Sequence, residues 1–172
     1  MESTGATPFE TELIPYHEAG HTLLAFISGR FCRVSIGVDA PDWNHTEWLS
    51  RDDRCDLTIY LAGIAAQKVR LDEFGFGSAA QLGGSLAGAE NDIEEALRIA
   101  RELYGETTHE EIRKITDHLD AGISKAPGWT VVKAIANTLR EERVLLRSDV
   151  ERVYNQTMAG WRAAGGTFDS DA

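Results

Sequence analysis

The stretch "YHEAGH", residues 16–21, sets two histidines four positions apart with a glutamate directly after the first. On an α-helix, residues i and i+4 share a face one turn apart. Two imidazoles so placed can bind one zinc ion from the same side. Glu18 projects beside them, where it can take a proton from a water on the metal. Zinc brings the pKa of such a water down to about 7, so hydroxide exists at neutral pH. The chemistry on offer is metal-assisted hydrolysis. The alternative is a buried helix whose histidines bond to backbone groups, and the spacing together with Glu18 argues against it.

A catalytic zinc takes three protein ligands and keeps one position open. A third histidine six residues after His21 is absent, because Ile27 stands there. Over 91–104, Ile93, Ala96, Leu97, Ile99, Ala100, Leu103 and Tyr104 make an apolar face, with Glu94, Glu95, Arg98, Arg101 and Glu102 opposite. Asp92 falls at the edge of the apolar face, in line with Ala96, Ile99 and Leu103, so it points inward while its acidic neighbours do not. A buried carboxylate needs a cation or hydrogen-bond donors. Asp92 reads either as a third ligand or as an acid that caps its helix or complements the positive end of the helix dipole. Helix geometry leaves both open.

The elements that must position these residues are mostly helical. The first ten or so residues are polar, and a helix reads from about Leu13 to Ser28, ended by Gly29. Leu13, Ile14, His17, His21, Leu24 and Ser28 form one stripe of it; Tyr16, Gly20, Leu23 and Ile27 form a second. Both histidines therefore face inward, and Gly20 lets another backbone approach. The β-branched run 31–38 reads as a strand, and 39–48 as a loop entering a second short strand. A helix follows over 53–70, then a glycine-rich loop over 72–88. Further helices read over 91–104, 108–126, 129–145 and 147–164, the last opened by Ser148. The fold class is mainly α, with a small β element after the first helix. The organisation is a flexible N-terminus over 1–12, one domain over 13–164 and a disordered tail over 165–172.

The 172 residues carry 28 acidic and 17 basic side chains, a net charge of −11. Such a surface repels nucleic acid and anionic membrane. No apolar stretch approaches the roughly 20 residues of a membrane span, and the start of the chain lacks the pattern of a signal peptide. Cys32 and Cys55 read as free thiols without metal-knuckle spacing. The expected setting is cytoplasmic. A phosphate-cradling G-x-x-x-x-G-K-[ST] loop is absent; the nearest stretch, "GGSLAG" at 83–88, is followed by Ala89 and Glu90.

"YHEAGHTLLAF" (16–26), "LAGIAAQKV" (61–69) and "GAENDIEEALRIAR" (88–101) together resemble the peptidase domain of the FtsH-type AAA+ zinc metalloproteases. The motifs run in the family's order over about 13–104, and 129–153 resembles its terminal helices loosely. In that family the aspartate of the G-A-x-N-D segment is the third zinc ligand. The resemblance thus implies one Zn2+ held by His17, His21 and Asp92, with Glu18 as catalytic base. It implies a zinc endopeptidase acting on unfolded or flexible polypeptide. FtsH proteins join this domain to a membrane anchor and an ATP-driven unfoldase, and neither pattern occurs in these residues. The expectation is a stand-alone peptidase. Its rivals are a catalytically silent interaction module and a peptidase active only with a separate ATPase partner. The family's rings make a homo-oligomer a candidate. The loop "DAPDWNHTEWLSRDD" is compact and carries two tryptophans; His45 and Trp43 are candidate substrate contacts there. His109 and His118 are expected to face solvent. Strand 31–38 is a candidate edge for pairing with an extended substrate.

Overall fold

The computed structural model describes residues 8–38, 44–75 and 89–167. Helix α1 spans Pro8–Ile27, starting before the expected Leu13. Pro15 lies inside it, where the missing N–H removes a helical hydrogen bond; such a residue reads as a helix start in sequence. Contacts from distant helices hold this early turn instead. Arg140 donates to the Glu12 carbonyl at 3.0 Å, and Arg70 to the Glu12 carboxylate at 3.0 Å. The other end closes as expected at Gly29, whose φ of 74° allows Arg30 N–H to reach the Ala25 carbonyl at 2.8 Å.

Strand β1, Phe31–Ile36, is followed by β2, Asn44–Trp48. Helices α2 (Asp53–Glu73), α3 (Glu90–Tyr104), α4 (Thr108–Ile123) and α5 (Gly128–Glu142) come next. A third strand, β3 (Val144–Leu146), then leads into α6 (Arg147–Ala163). The protein is mainly α with one small sheet, as its patterning implies. The sheet order is β2-β1-β3, antiparallel throughout. Two expectations change here. The helix expected over 129–145 stops at Glu142, because Arg143 adopts a left-handed φ of 64° and the apolar "VLL" turns out to pair with β1. In consequence β1 is the central strand, bonded on both sides, and presents no edge. The edge beside α1 belongs to β2.

The packing of α1 on α2 fixes the site. Asp52 caps α2, its carboxylate accepting from Cys55 N–H at 2.9 Å. In mid-helix, α2 offers the small residues Ala62, Gly63, Ala65 and Ala66, all buried. A Cβ at Gly20 would overlap the Ala62 carbonyl oxygen and lie 2.8 Å from Ala66 Cβ, so glycine sets the closeness of this pair. In α3, Ala96, Ile99 and Ala100 are buried as expected, whereas Ile93 is 39% exposed. Asp92, about 100° around the helix, takes the inward place in that first turn. α6 starts at Arg147 with Leu146 at its N-cap, whose N–H donates to Asp149 at 3.0 Å, so Ser148 does not open it.

Candidate metal centre

His17, Glu18 and His21 are 3%, 5% and 3% exposed on the buried side of α1. The first turn of α3 brings Asp92 to them across 75 residues of sequence. His17 Nε2 lies 2.6 Å from Asp92 Oδ2, His21 Nε2 lies 3.0 Å from the same oxygen, and the two Nε2 atoms are 2.9 Å apart. Among the described residues these three side chains form the group able to hold a metal ion, their ligand atoms all within 4.8 Å of one another. Zinc bonds of about 2.0–2.2 Å in tetrahedral array separate ligand atoms by roughly 3.3 Å. The donor set sits slightly inside that spacing.

The tautomer of His21 sharpens the fit. Its Nδ1 is 2.7 Å from the carbonyl oxygen of Ile59. A carbonyl only accepts, so Nδ1 carries the proton and the neutral ring presents a bare lone pair at Nε2. That lone pair faces a second imidazole nitrogen and a carboxylate oxygen. Three electron-rich atoms pointing at one another repel unless a proton or a cation stands among them. A carbonyl behind one histidine is also the support that orients metal-binding imidazoles. His17 Nδ1 is buried with no protein partner among the described residues.

The charges respond accordingly. Burial alone would raise the Asp92 carboxyl, but in the metal-free protein hydrogen bonds from His17 and from a His21 that carries a second proton at Nε2, together with their charges, outweigh it and hold it well below the usual carboxylate range. Burial alone would lower His21; the hydrogen bond and charge of Asp92, the charge of Glu18 and the Ile59 carbonyl reverse this, and its pKa lies above the ordinary 6.5. Asp92 thus stays anionic and available as a ligand.

Several supports were invisible in the spacing of the motif. A Cβ at Gly63 would overlap His21 Nε2, lie 2.5 Å from His21 Cε1 and 2.9 Å from His17 Cε1. Trp48 stacks on His21 at 6.1 Å, and its Nε1–H donates to the buried Asp56 at 3.0 Å. Thr46 Oγ–H donates to Glu18 Oε2 at 2.6 Å. A glycine amid small residues in mid-helix was the one readable sign, at Gly63. Ile59 acts through its backbone, which no side-chain pattern reports.

The remaining candidates divide. His45 is exposed on β2 and lines a cleft of about 390 Å³ with Trp48, Asp53, Asp56, Tyr60 and Arg98. Trp43 lies outside the described residues. His109 and His118 are exposed on α4. Cys32 and Cys55 are free and half-buried. No described helix is long and apolar enough to cross a membrane.

No family model matches the chain. It is similar to an ATP-dependent zinc metalloprotease FtsH of Marinobacter nauticus, 25% identical over 112 residues that cover 58% of this chain and 16% of that protein. It is also similar to an ATP-dependent zinc metalloprotease FtsH 1 of Rhodopirellula baltica, 31% identical over 106 residues, 55% of this chain and 14% of that protein. The chain thus spans less than a fifth of the length of these curated relatives.

Proposed function

We propose that this protein is a zinc-dependent endopeptidase acting on flexible or unfolded polypeptide. The observation that carries the reading is the convergence of His17 Nε2, His21 Nε2 and Asp92 Oδ2, with separations of 2.6, 2.9 and 3.0 Å. His17, His21 and Asp92 are the proposed ligands. Two imidazoles and a carboxylate suit zinc in a hydrolytic site, whereas structural zinc is closed by four protein ligands. When bound, the ion supplies Lewis-acid polarisation of a carbonyl and a water acidic enough to ionise near neutral pH.

The chain's own residues perform the rest. Glu18 takes the proton of the attacking water on its carboxylate and returns it to the leaving amine. It is buried, so its carboxylate is shielded from bulk water. Asp92 keeps both imidazoles oriented, and the Ile59 carbonyl orients His21 alone. Among the described residues the outer side of β2 is a strand edge, and its Thr46 and Trp48 reach the site. An extended peptide adding to that edge through main-chain hydrogen bonds would lie against the metal centre, with His45 beside it. Such pairing needs a segment whose backbone groups are unpaired, which restricts substrates to unfolded stretches.

The ATP dependence of the FtsH relatives favours a second reading, in which cleavage depends on polypeptide delivered by a separate ATPase. Turnover of unfolded casein with and without an added AAA+ ATPase separates the two. The first reading is tested by Glu18→Gln: the variant is expected to keep stoichiometric zinc and lose casein cleavage. Parent-level cleavage by the variant overturns the mechanism.

A further inference from the structure

Leu145 of β3, Val34 of β1 and Thr46 of β2 form one row across the sheet. All three are buried, at 0%, 0% and 2% exposed. Leu145 and Val34 are apolar, as an inward-facing row requires. Thr46 supplies the row's hydroxyl, at the end nearest Glu18. A buried hydroxyl needs a partner, and this one has two candidates on a single residue. It is 2.6 Å from Glu18 Oε2 and 3.3 Å from the Glu18 backbone oxygen. One hydroxyl carries one proton, and the shorter contact takes it. That separation falls within the roughly 2.5–2.7 Å of an O–H donating to an ionised carboxylate.

We infer that Thr46 is a positioning residue for Glu18: its hydroxyl engages Oε2, fixes the side-chain rotamer and leaves Oε1 to exchange the proton. The inference rests on the peptidase reading above and adds to it a link between substrate docking and the base. Thr46 belongs to β2, the strand whose outer edge is proposed to receive the peptide, and its side chain contacts the glutamate on α1. A peptide that seats β2 therefore seats Glu18. Valine would fill the same space and keep the β-branched shape that suits a strand, but would remove the bond.

The test compares Thr46→Val, Thr46→Ser and Glu18→Gln in zinc content, casein cleavage and urea melts. Thr46→Val is expected to keep one zinc per chain and to lose about 10–100-fold in kcat with KM within about twofold, as fits a group acting at the transition state. Thr46→Ser, which restores the hydroxyl, is expected to recover most of that loss. Parent-level kcat in Thr46→Val, or a serine variant as slow as the valine one, overturns the inference. If Glu18→Gln cleaves like the parent, the peptidase reading fails instead. The urea melts of metal-free protein judge the contact independently of activity. For this cycle Glu18→Ala replaces Glu18→Gln, because a glutamine would still accept from the Thr46 hydroxyl. Thr46→Val and Glu18→Ala, singly and combined, are expected to be non-additive, as groups in direct contact are. Additive effects overturn the inference whatever the cleavage assays read.

Discussion

Gly63 of α2 lies directly against the ring of His21 of α1, so close that a Cβ there would be 2.5 Å from His21 Cε1. In an ordinary helix, alanine is more favourable than glycine by about 1 kcal/mol. Here the sign reverses. Gly63→Ala must push both imidazoles aside, and overpacking of this kind costs about 1–3 kcal/mol. The expected outcome is lowered stability in urea together with weakened zinc binding, read by chelator competition. A variant that binds zinc as the parent does would show that the rings have room the structure denies them.

Asp92→Asn removes the anion that both histidines face while keeping shape. Zinc affinity is expected to fall by roughly 100-fold or more, beyond the 10–100-fold typical of losing an outer support. In the metal-free protein the His21 pKa, raised chiefly through Asp92 against the opposing effect of burial, is expected to move down. An NMR titration of the imidazole reads this directly. An unchanged His21 titration would remove the basis for coupling these two groups.

Part of the acid stability rests on a cluster away from the metal centre. Burial alone would raise Glu12 and Glu73. Arg70 and Arg140 at Glu12, and Trp129, Arg70 and Lys133 at Glu73, outweigh it, so both lie below the ordinary 4.5. A folded-state pKa below the unfolded one means stability that is complete above about pH 4.5 and lost as pH falls through the folded values. Both carboxylates are about a third exposed, so solvent screening keeps the effect modest. Urea midpoints measured from pH 6 to pH 3 should fall, and Glu12→Gln should flatten the slope. A slope identical to the parent's would rule out the Glu12 contribution.

Arg143 holds φ at 64° between α5 and β3. That region disfavours residues with a Cβ by about 1–2 kcal/mol, and Arg143 is exposed. Arg143→Gly is expected to stabilise the protein by about 0.5–1 kcal/mol in chemical denaturation, after glycine's greater unfolded-state freedom is subtracted. A destabilised variant would mean that the arginine side chain contributes more than the backbone strain costs.

The helices were legible because their apolar periodicity survives in isolation, as at Ala96, Ile99 and Ala100. The pair His17 and His21 and the inward turn of Asp92 were legible for the same reason, since one helix sets each. What sequence could not report depends on partners distant in the chain. Glu12 is held in α1 by Arg70 and Arg140, so the helix starts earlier than the expected Leu13. Val144–Leu146 looks like the end of a helix until β1 is available to pair with it. Thr46 looks like a loop residue until Glu18 is seen beneath it. Ile93 sits on the apolar stripe of α3 yet remains exposed, because the stripe is wider than the surface it meets.

The sheet order has a consequence for a chain emerging from the ribosome. Every proposed ligand and the base lie between residues 17 and 92, so all are synthesised well before Val144–Leu146 completes the far side of β1. Until then β1 carries an open backbone edge, the kind of surface that recruits other strands. Trp129, which stacks on Tyr16 at 5.6 Å next to His17, also arrives late. The nascent chain thus holds its proposed ligands and base before it holds the scaffold that orders them, and the candidate centre is complete only once Val144–Leu146 has been made.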